Sequence, residues 1–246
     1  MASADMQQTL VLIKPDALKN SLTGYILSQL SEFHSGLRFA GAKIVHVSRL
    51  LADEHYAEHR GKVFFDGLID FIMGKLQYPS NPEKRRVIAL VYQGPDAVQK
   101  IRDLAGPTNP HEAREKKPGS IRSLGTTVPI KDVEGKEVGQ RMENLIHASA
   151  NTADAEREIK LWFQPADIPP AMRAYPVETS TEHYYYHEGK LTTTYKPGYF
   201  CLIAPGNLVW SSDAEVLRNL IQGKPSAYSL EAVAAKYLTN VAEEKD

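Results

Sequence analysis

Apolar and polar positions along this chain of 246 residues fall into short strand-like runs alternating with segments of helical spacing. "TLVLIKP" reads as a buried strand ended by Pro15, and "LTGYILSQLSEF" then carries apolar residues at helical spacing, so a strand–helix unit opens the protein. "GAKIVHVSRL" alternates as a strand, "DEHYAEH" and "DGLIDFIMG" are helical, and "RRVIALVYQG" is another apolar strand. "PDAVQKIRDLAG" is a short helix ended by Gly106. A short strand over "NLI", a turn over "HASA" and a final helix follow, the helix starting at Asn151 and Thr152 with Ala155, Ile159 and Trp162 at helical spacing. The order β, α, β, helical pair, β, α, β, α predicts an α/β (α+β) fold, a ferredoxin-like split βαβ sandwich on an antiparallel sheet.

Two stretches read as loops: "KLQYPSNPEKR" at 75–85, and the Pro, Gly, Lys and Glu-rich segment from Gly106 to about Met142. Beyond "FQPADIPPAMRAYP" the composition changes, which sets a boundary near 166–176 and divides the chain into residues 1–165 and a C-terminal extension, 166–246. The extension reads as a small α/β appendage. "EHYYYHEGKLTTTYKPGYFCLI" has strand character around a Glu188-Gly189 turn, and "DAEVLRNLIQG" and "LEAVAAKYL" are helical. His183 and His187 flank three tyrosines, but two histidines without a third ligand mark an exposed hairpin more often than a metal site.

A net charge of -1 provides no global basic field for nucleic acid or an anionic membrane, so any anion site must be local. Cys201, the one cysteine, excludes an intrachain disulfide and a thiolate cluster, and it fits a reducing cytoplasm. "MASADMQQ" lacks the regions of a signal peptide, and no apolar run approaches a membrane span, so a soluble cytoplasmic protein is expected.

A lone histidine after a strand is more often a core or turn residue than a reactive one. His147, however, precedes a helix N-terminus, where unpaired N–H groups and the dipole favour an anion such as phosphate. No G-x-x-x-x-G-K-[ST] motif is present, so phosphate must be held by other means. Lys14, Arg102, Thr108 and Arg122 are the candidates.

In order along the chain, "TLVLIKPDAL", "LADEHYAEHRGKVFFDGLIDFI", "RDLAGPTNPHEA", "KPGSIR", "NLIHAS" and "DAEREIKLWF" resemble the nucleoside diphosphate kinase family over about residues 8–165. The resemblance implies that His147 accepts the γ-phosphate of a nucleoside triphosphate and passes it to a diphosphate by a ping-pong route. It implies that Glu158 orients the ring with support from Ser149, and that Arg102, Thr108 and Arg122 hold phosphate oxygens. Tyr56 would sit near the transferred group, and Lys14 and Asn144 would contact the ribose 3′-hydroxyl and nearby phosphate oxygens. Phe64 would stack on the base, with Leu68 one turn along, giving little base selectivity. Mg2+ would arrive on the nucleotide phosphates without a protein cage, and the partners would be nucleoside di- and triphosphates within a homo-oligomer of unassigned subunit number.

Ala17, Ala148 and Ala150 depart from the family pattern, and "GTTVPIKDVEGKEVGQRM" is an insertion ahead of Asn144 that would form a lid, a β-hairpin around Glu134-Gly135, or an altered assembly surface. If the family's glycine at position 148 requires positive φ, alanine costs about 1 kcal/mol or shifts the turn. These departures motivate the alternative of a kinase-like nucleotide-binding regulatory protein with little phosphoryl transfer.

Overall fold

The computed structural model describes residues 6–131 and 134–239. Residues 1–5, part of the polar "MASADMQQ" stretch, lie outside them. The elements run β1 (Met6–Ile13), α1 (Pro15–Lys19), α2 (Thr23–Gln29), α3 (Glu32–Ser35), β2 (Arg38–Val45), α4 (Arg49–His55), α5 (Phe65–Ile72) and β3 (Val87–Pro95). Then come α6 (Ala97–Ala105), α7 (Pro110–Lys116), β4 (Thr126–Lys131), β5 (Glu137–Glu143), β6 (Ile146–Ala148) and α8 (Thr152–Trp162). The C-terminal region adds β7 (Val177–Thr179), β8 (Tyr184–His187), β9 (Lys190–Thr192), β10 (Phe200–Ile203), β11 (Leu208–Trp210), α9 (Ser211–Ile221) and α10 (Leu230–Ala234).

The main sheet has the order β2-β3-β1-β6 with every pair antiparallel, the split βαβ arrangement that the element order predicted. β1 is central and buried on both faces, which is why its sequence is a continuous apolar run. Val11 and Ile13 join Ile26 of α2 and Ile101 of α6 on one face; Leu10 and Leu12 join Leu51 of α4, Ile69 of α5 and Trp162 of α8 on the other. β6 adds the last strand, with His147 paired to Leu12. Paired residues of an antiparallel ladder share a face, so the His147 ring belongs to the side roofed by α4, α5 and α8.

Three expectations are corrected. His147 lies inside β6, not in a turn after it; the reversal falls two residues earlier, at Leu145, whose φ is +69°. Asp16 carboxylate accepts the Leu145 N–H at 2.8 Å and the Lys14 N–H donates to Leu145 O at 2.9 Å, which holds this left-handed conformation. The α8 N-terminus is not an anion seat for His147, because Asn151 Oδ1 caps it by accepting the Asp154 N–H at 2.9 Å and Asp154 fills its first turn. The stretch 106–142 is structured: α7 begins on an Asn109 cap, and the insertion contains the antiparallel hairpin β4–β5, one of the three alternatives expected for it; residues 132 and 133 lie outside the described set. Ala148 is extended and paired with Val11, so it carries no left-handed strain.

The C-terminal region builds its own buried cluster from Tyr184, Ile203, Val209, Leu217 and Val233. The β8–β9 hairpin turns at Glu188 and Gly189, both at positive φ, as a two-residue connection requires. Attachment to the main sheet runs through Trp210, buried in the same cluster as Leu10 and Trp162, whose indole N–H donates to Phe163 O at 2.8 Å. Gln8 and Gln93 side chains both donate to Met172 O. Inside the extension, buried Lys236 donates to Asp213 at 2.9 Å, and Tyr228 donates to the other carboxylate oxygen at 2.7 Å. Removing one partner strands a buried charge. Asp213→Ala should therefore cost about 3–5 kcal/mol, read as faster amide exchange across α9 and α10 and a lower unfolding temperature.

Candidate active site

Sheet register and one helix face bring the reactive cluster together. On α8 the buried stripe is Ala155, Glu158, Ile159 and Trp162, so an acid occupies a position that the helical spacing reserves for apolar residues. A buried carboxylate needs partners, and Glu158 has them: Oε2 lies 2.9 Å from His147 Nε2 and accepts the Ser149 hydroxyl at 2.6 Å. Ser149 Oγ in turn accepts the Leu10 N–H at 3.1 Å, so β1, β6 and α8 meet at one group. Burial pushes the Glu158 carboxyl up, but the His147 charge and hydrogen bond, His55 and the Ser149 hydroxyl outweigh it and hold it at about 2. Glu158 is an anion at neutral pH.

Cations surround this cluster. Arg122 is buried, and its guanidinium donates to Gly106 O at 2.9 Å and Ile146 O at 3.3 Å. Burial and the neighbouring Arg102 charge bring it down to about 10, so it stays charged at neutral pH. Neither arginine has an ion-pair partner among the described residues, so two adjacent positive charges are left for an anion. Gly106 is needed where it is: its φ is +81° and a Cβ would collide with Ser120 Oγ. Buried Lys14 donates to Asn144 Oδ1, and the Asn144 amide donates to Thr108 O at 2.9 Å. Burial lowers the Lys14 pKa, with Asp16 opposing. Tyr56 follows α4, and burial raises its phenol pKa, so it stays a neutral donor.

Phe64 caps α5 and is 56% exposed, with Leu68 half-buried one turn on. Ring contacts join this lip to the centre: Phe64–His59 at 5.7 Å, His59–Tyr56 at 6.2 Å, Tyr56–His55 at 4.6 Å and His55–His147 at 4.6 Å. The structure thus places Lys14, Arg122, Asn144, Ser149 and Glu158, all buried, in one neighbourhood with half-buried Tyr56 and His147. Arg102 and Thr108 lie on its exposed rim, and Phe64 and Leu68 at the end of the ring chain. Sequence reasoning missed His55, Trp162 as its partner, and Asp16, which braces Leu145. The signal for His55 was present: it adjoins Tyr56 at the end of a helix.

The nucleoside diphosphate kinase family model matches residues 7–168. The chain belongs to the nucleoside diphosphate kinase family. It is 38% identical over 164 residues to the Pyrococcus furiosus nucleoside diphosphate kinase, covering 67% of this chain and 87% of that one. The Thermus thermophilus enzyme is 39% identical over 164 residues, covering 66% and 99%. Among solved structures, a Halobacterium salinarum nucleoside diphosphate kinase in complex with CDP aligns with a TM-score of 0.51 at 34% identity, covering 67% of this chain and 92% of that one. A Borrelia burgdorferi kinase with bound vanadate and ADP, a transition-state mimic, aligns at 0.52 and 30% identity, covering 70% and 95%. The protein is a nucleotide-binding phosphotransferase, and among its described residues no helix is long and apolar enough to cross a membrane.

The family's divalent metal is tested by the donors present. The one grouping of three candidate ligands among the described residues, His55, His147 and Glu158, offers two imidazoles and a carboxylate, a set unsuited to Mg2+, which takes oxygen ligands.

His55 also makes stability depend on pH. Burial brings its pKa from 6.5 down to about 3, helped by the neighbouring His147. Between those values the unfolded chain takes a proton that the native state refuses. Stability from this group is full above about pH 6.5 and declines as pH falls, by up to about 1.4 kcal/mol per pH unit. Urea unfolding at pH 7.5, 6 and 5 should show the decline, and His55→Phe should remove it from the profile.

Proposed function

We propose that His147 is the residue that carries the phosphoryl group in this nucleoside diphosphate kinase, and that its Nδ1 is the attacking atom. One observation carries the reading: Nε2 is engaged by buried, ionised Glu158, which leaves Nδ1 as the free lone pair. Nδ1 attacks the γ-phosphorus of the triphosphate; an N–P bond forms as the bridging P–O bond breaks, and the diphosphate leaves with that electron pair. The Nε2 proton stays against Glu158, whose charge balances the phosphorylated ring. A second diphosphate then takes the phosphoryl group by the reverse step, which makes the kinetics ping-pong.

In this reading Arg102, Arg122 and Thr108 hold phosphate oxygens, Lys14 and Asn144 meet the ribose 3′-hydroxyl and nearby phosphate oxygens, and Tyr56 donates its hydroxyl near the transferred group. Mg2+ supplies charge neutralisation on the phosphates when bound. Phe64 offers an exposed ring to any base, with Leu68 beside it, so selectivity among bases is low. Action in the cytoplasm, assembly as a homo-oligomer, and residues 166–246 as a unit added to the kinase fold complete the proposal.

Intact-mass spectrometry after brief incubation with Mg-ATP tests the central claim. Wild type should gain one acid-labile phosphate that a different nucleoside diphosphate removes, and His147→Ala should gain none; an adduct on the variant would place the chemistry elsewhere. Glu158→Gln should slow phosphoenzyme formation on the order of 10²-fold. Phe64→Ala should raise KM about tenfold for purine and pyrimidine nucleotides alike with kcat held, as expected for a lost stacking contact.

A further inference from the structure

His55 ends α4 and is 3% exposed, enclosed by three rings. Tyr56 and His147 each lie 4.6 Å away edge to face, and Trp162 stands perpendicular at 5.4 Å. The Trp162 indole N–H donates to His55 Nδ1 at 3.1 Å. An indole N–H can only donate, so Nδ1 must hold the lone pair and the His55 proton resides on Nε2. That Nε2–H is buried with no acceptor among the described residues.

This tautomer argues against the reading that ligand spacing alone invites. Ligating atoms of His55, His147 and Glu158 lie within 4.8 Å of one another. A metal on His55 Nε2 would move the ring proton to Nδ1, where it would face the Trp162 N–H donor to donor. Glu158 Oε2 is also already engaged by His147 and Ser149. The cluster is built as a brace.

A brace is what the nucleophile lacks. The hydrogen bond to Glu158 fixes one atom of the His147 ring but leaves a pivot about that contact. The Nδ1 lone pair lies in the ring plane, so a tilt about the pivot misdirects it, and in-line transfer depends on that aim. We infer that His55 is a positioning residue for phosphoryl transfer, an uncharged ring held by Trp162 that sets the tilt of the His147 imidazole. The inference rests on the reading of His147 as phosphoryl carrier. Neutrality matters as well as shape, since a cation at this distance would oppose the positive charge that the ring gains on phosphorylation.

Two variants separate the ring contact from the buried hydrogen bond. His55→Asn keeps an acceptor available to the Trp162 N–H but removes the ring. His55→Phe combined with Trp162→Phe keeps a ring beside His147 and removes both polar groups together. Single-turnover phosphorylation by Mg-ATP, ADP affinity, thermal melting and 13C relaxation at His147 Cε1 are measured on the full chain. His55→Asn should slow phosphorylation at least tenfold with ADP affinity within twofold, and should raise the mobility of the His147 ring. The double variant should rescue the rate to a third of wild type or better. A wild-type rate in His55→Asn would overturn the inference, as would a loss of rate matched by equal losses of ADP affinity and melting temperature. A double variant as slow as His55→Asn would overturn it too, by showing that a neutral ring is not enough. Wild type that forms no phosphohistidine would fail the kinase reading instead, and relaxation at His147 without nucleotide would still decide whether His55 holds the ring.

Discussion

One buried carboxylate organises the structure. Glu158 occupies an apolar stripe of α8, and only partners brought from β6 make that position tolerable: the His147 ring and the Ser149 hydroxyl, the latter tied to β1 through the Leu10 N–H. Stability and chemistry coincide here. The contacts that satisfy the buried acid also anchor one nitrogen of the His147 ring, and shifting the β6 register by one residue would turn His147 to the opposite face of the sheet.

The cations are handled by the opposite device. Arg122 is held by the carbonyls of Gly106 and Ile146, and Lys14 by the Asn144 side-chain oxygen, so they are oriented without being neutralised. Carbonyl dipoles leave a net positive charge in place, which a carboxylate partner would have cancelled. This explains the demands on the backbone nearby, where Gly106 takes a conformation and a space that a side chain cannot share, and Leu145 is kept left-handed by Asp16. The β4–β5 insertion enters between Arg122 and Asn144, and β5 returns the chain directly to Asn144. The extension is attached on the α4 and α8 side, where Leu50 packs against both hydrophobic clusters and Ala235 enters the main one. It therefore contacts the helix that ends in His55.

From sequence alone, the order of periodic segments was enough for the split βαβ sheet, because strands and helices differ in hydrophobic period whatever they later pack against. The six blocks in order were enough for the family. Within the 106–142 stretch α7 was misread as loop because it is short and polar, and the hairpin stood only as one alternative of three because its strands are half-exposed and have no strong period. The strand limits around His147 were misplaced because three residues hold too little pattern, and pairing with β1 decides them. His55 was missed for a related reason: its place beside Tyr56 could be read, but its contacts come from Trp162, 107 positions away, and from His147 on another element. The chain's own chemistry determined which groups could act. Tertiary packing alone decided which His147 nitrogen is free, which tautomer His55 keeps and which charges stay unpaired, because each depends on donors and acceptors that are neighbours only after folding.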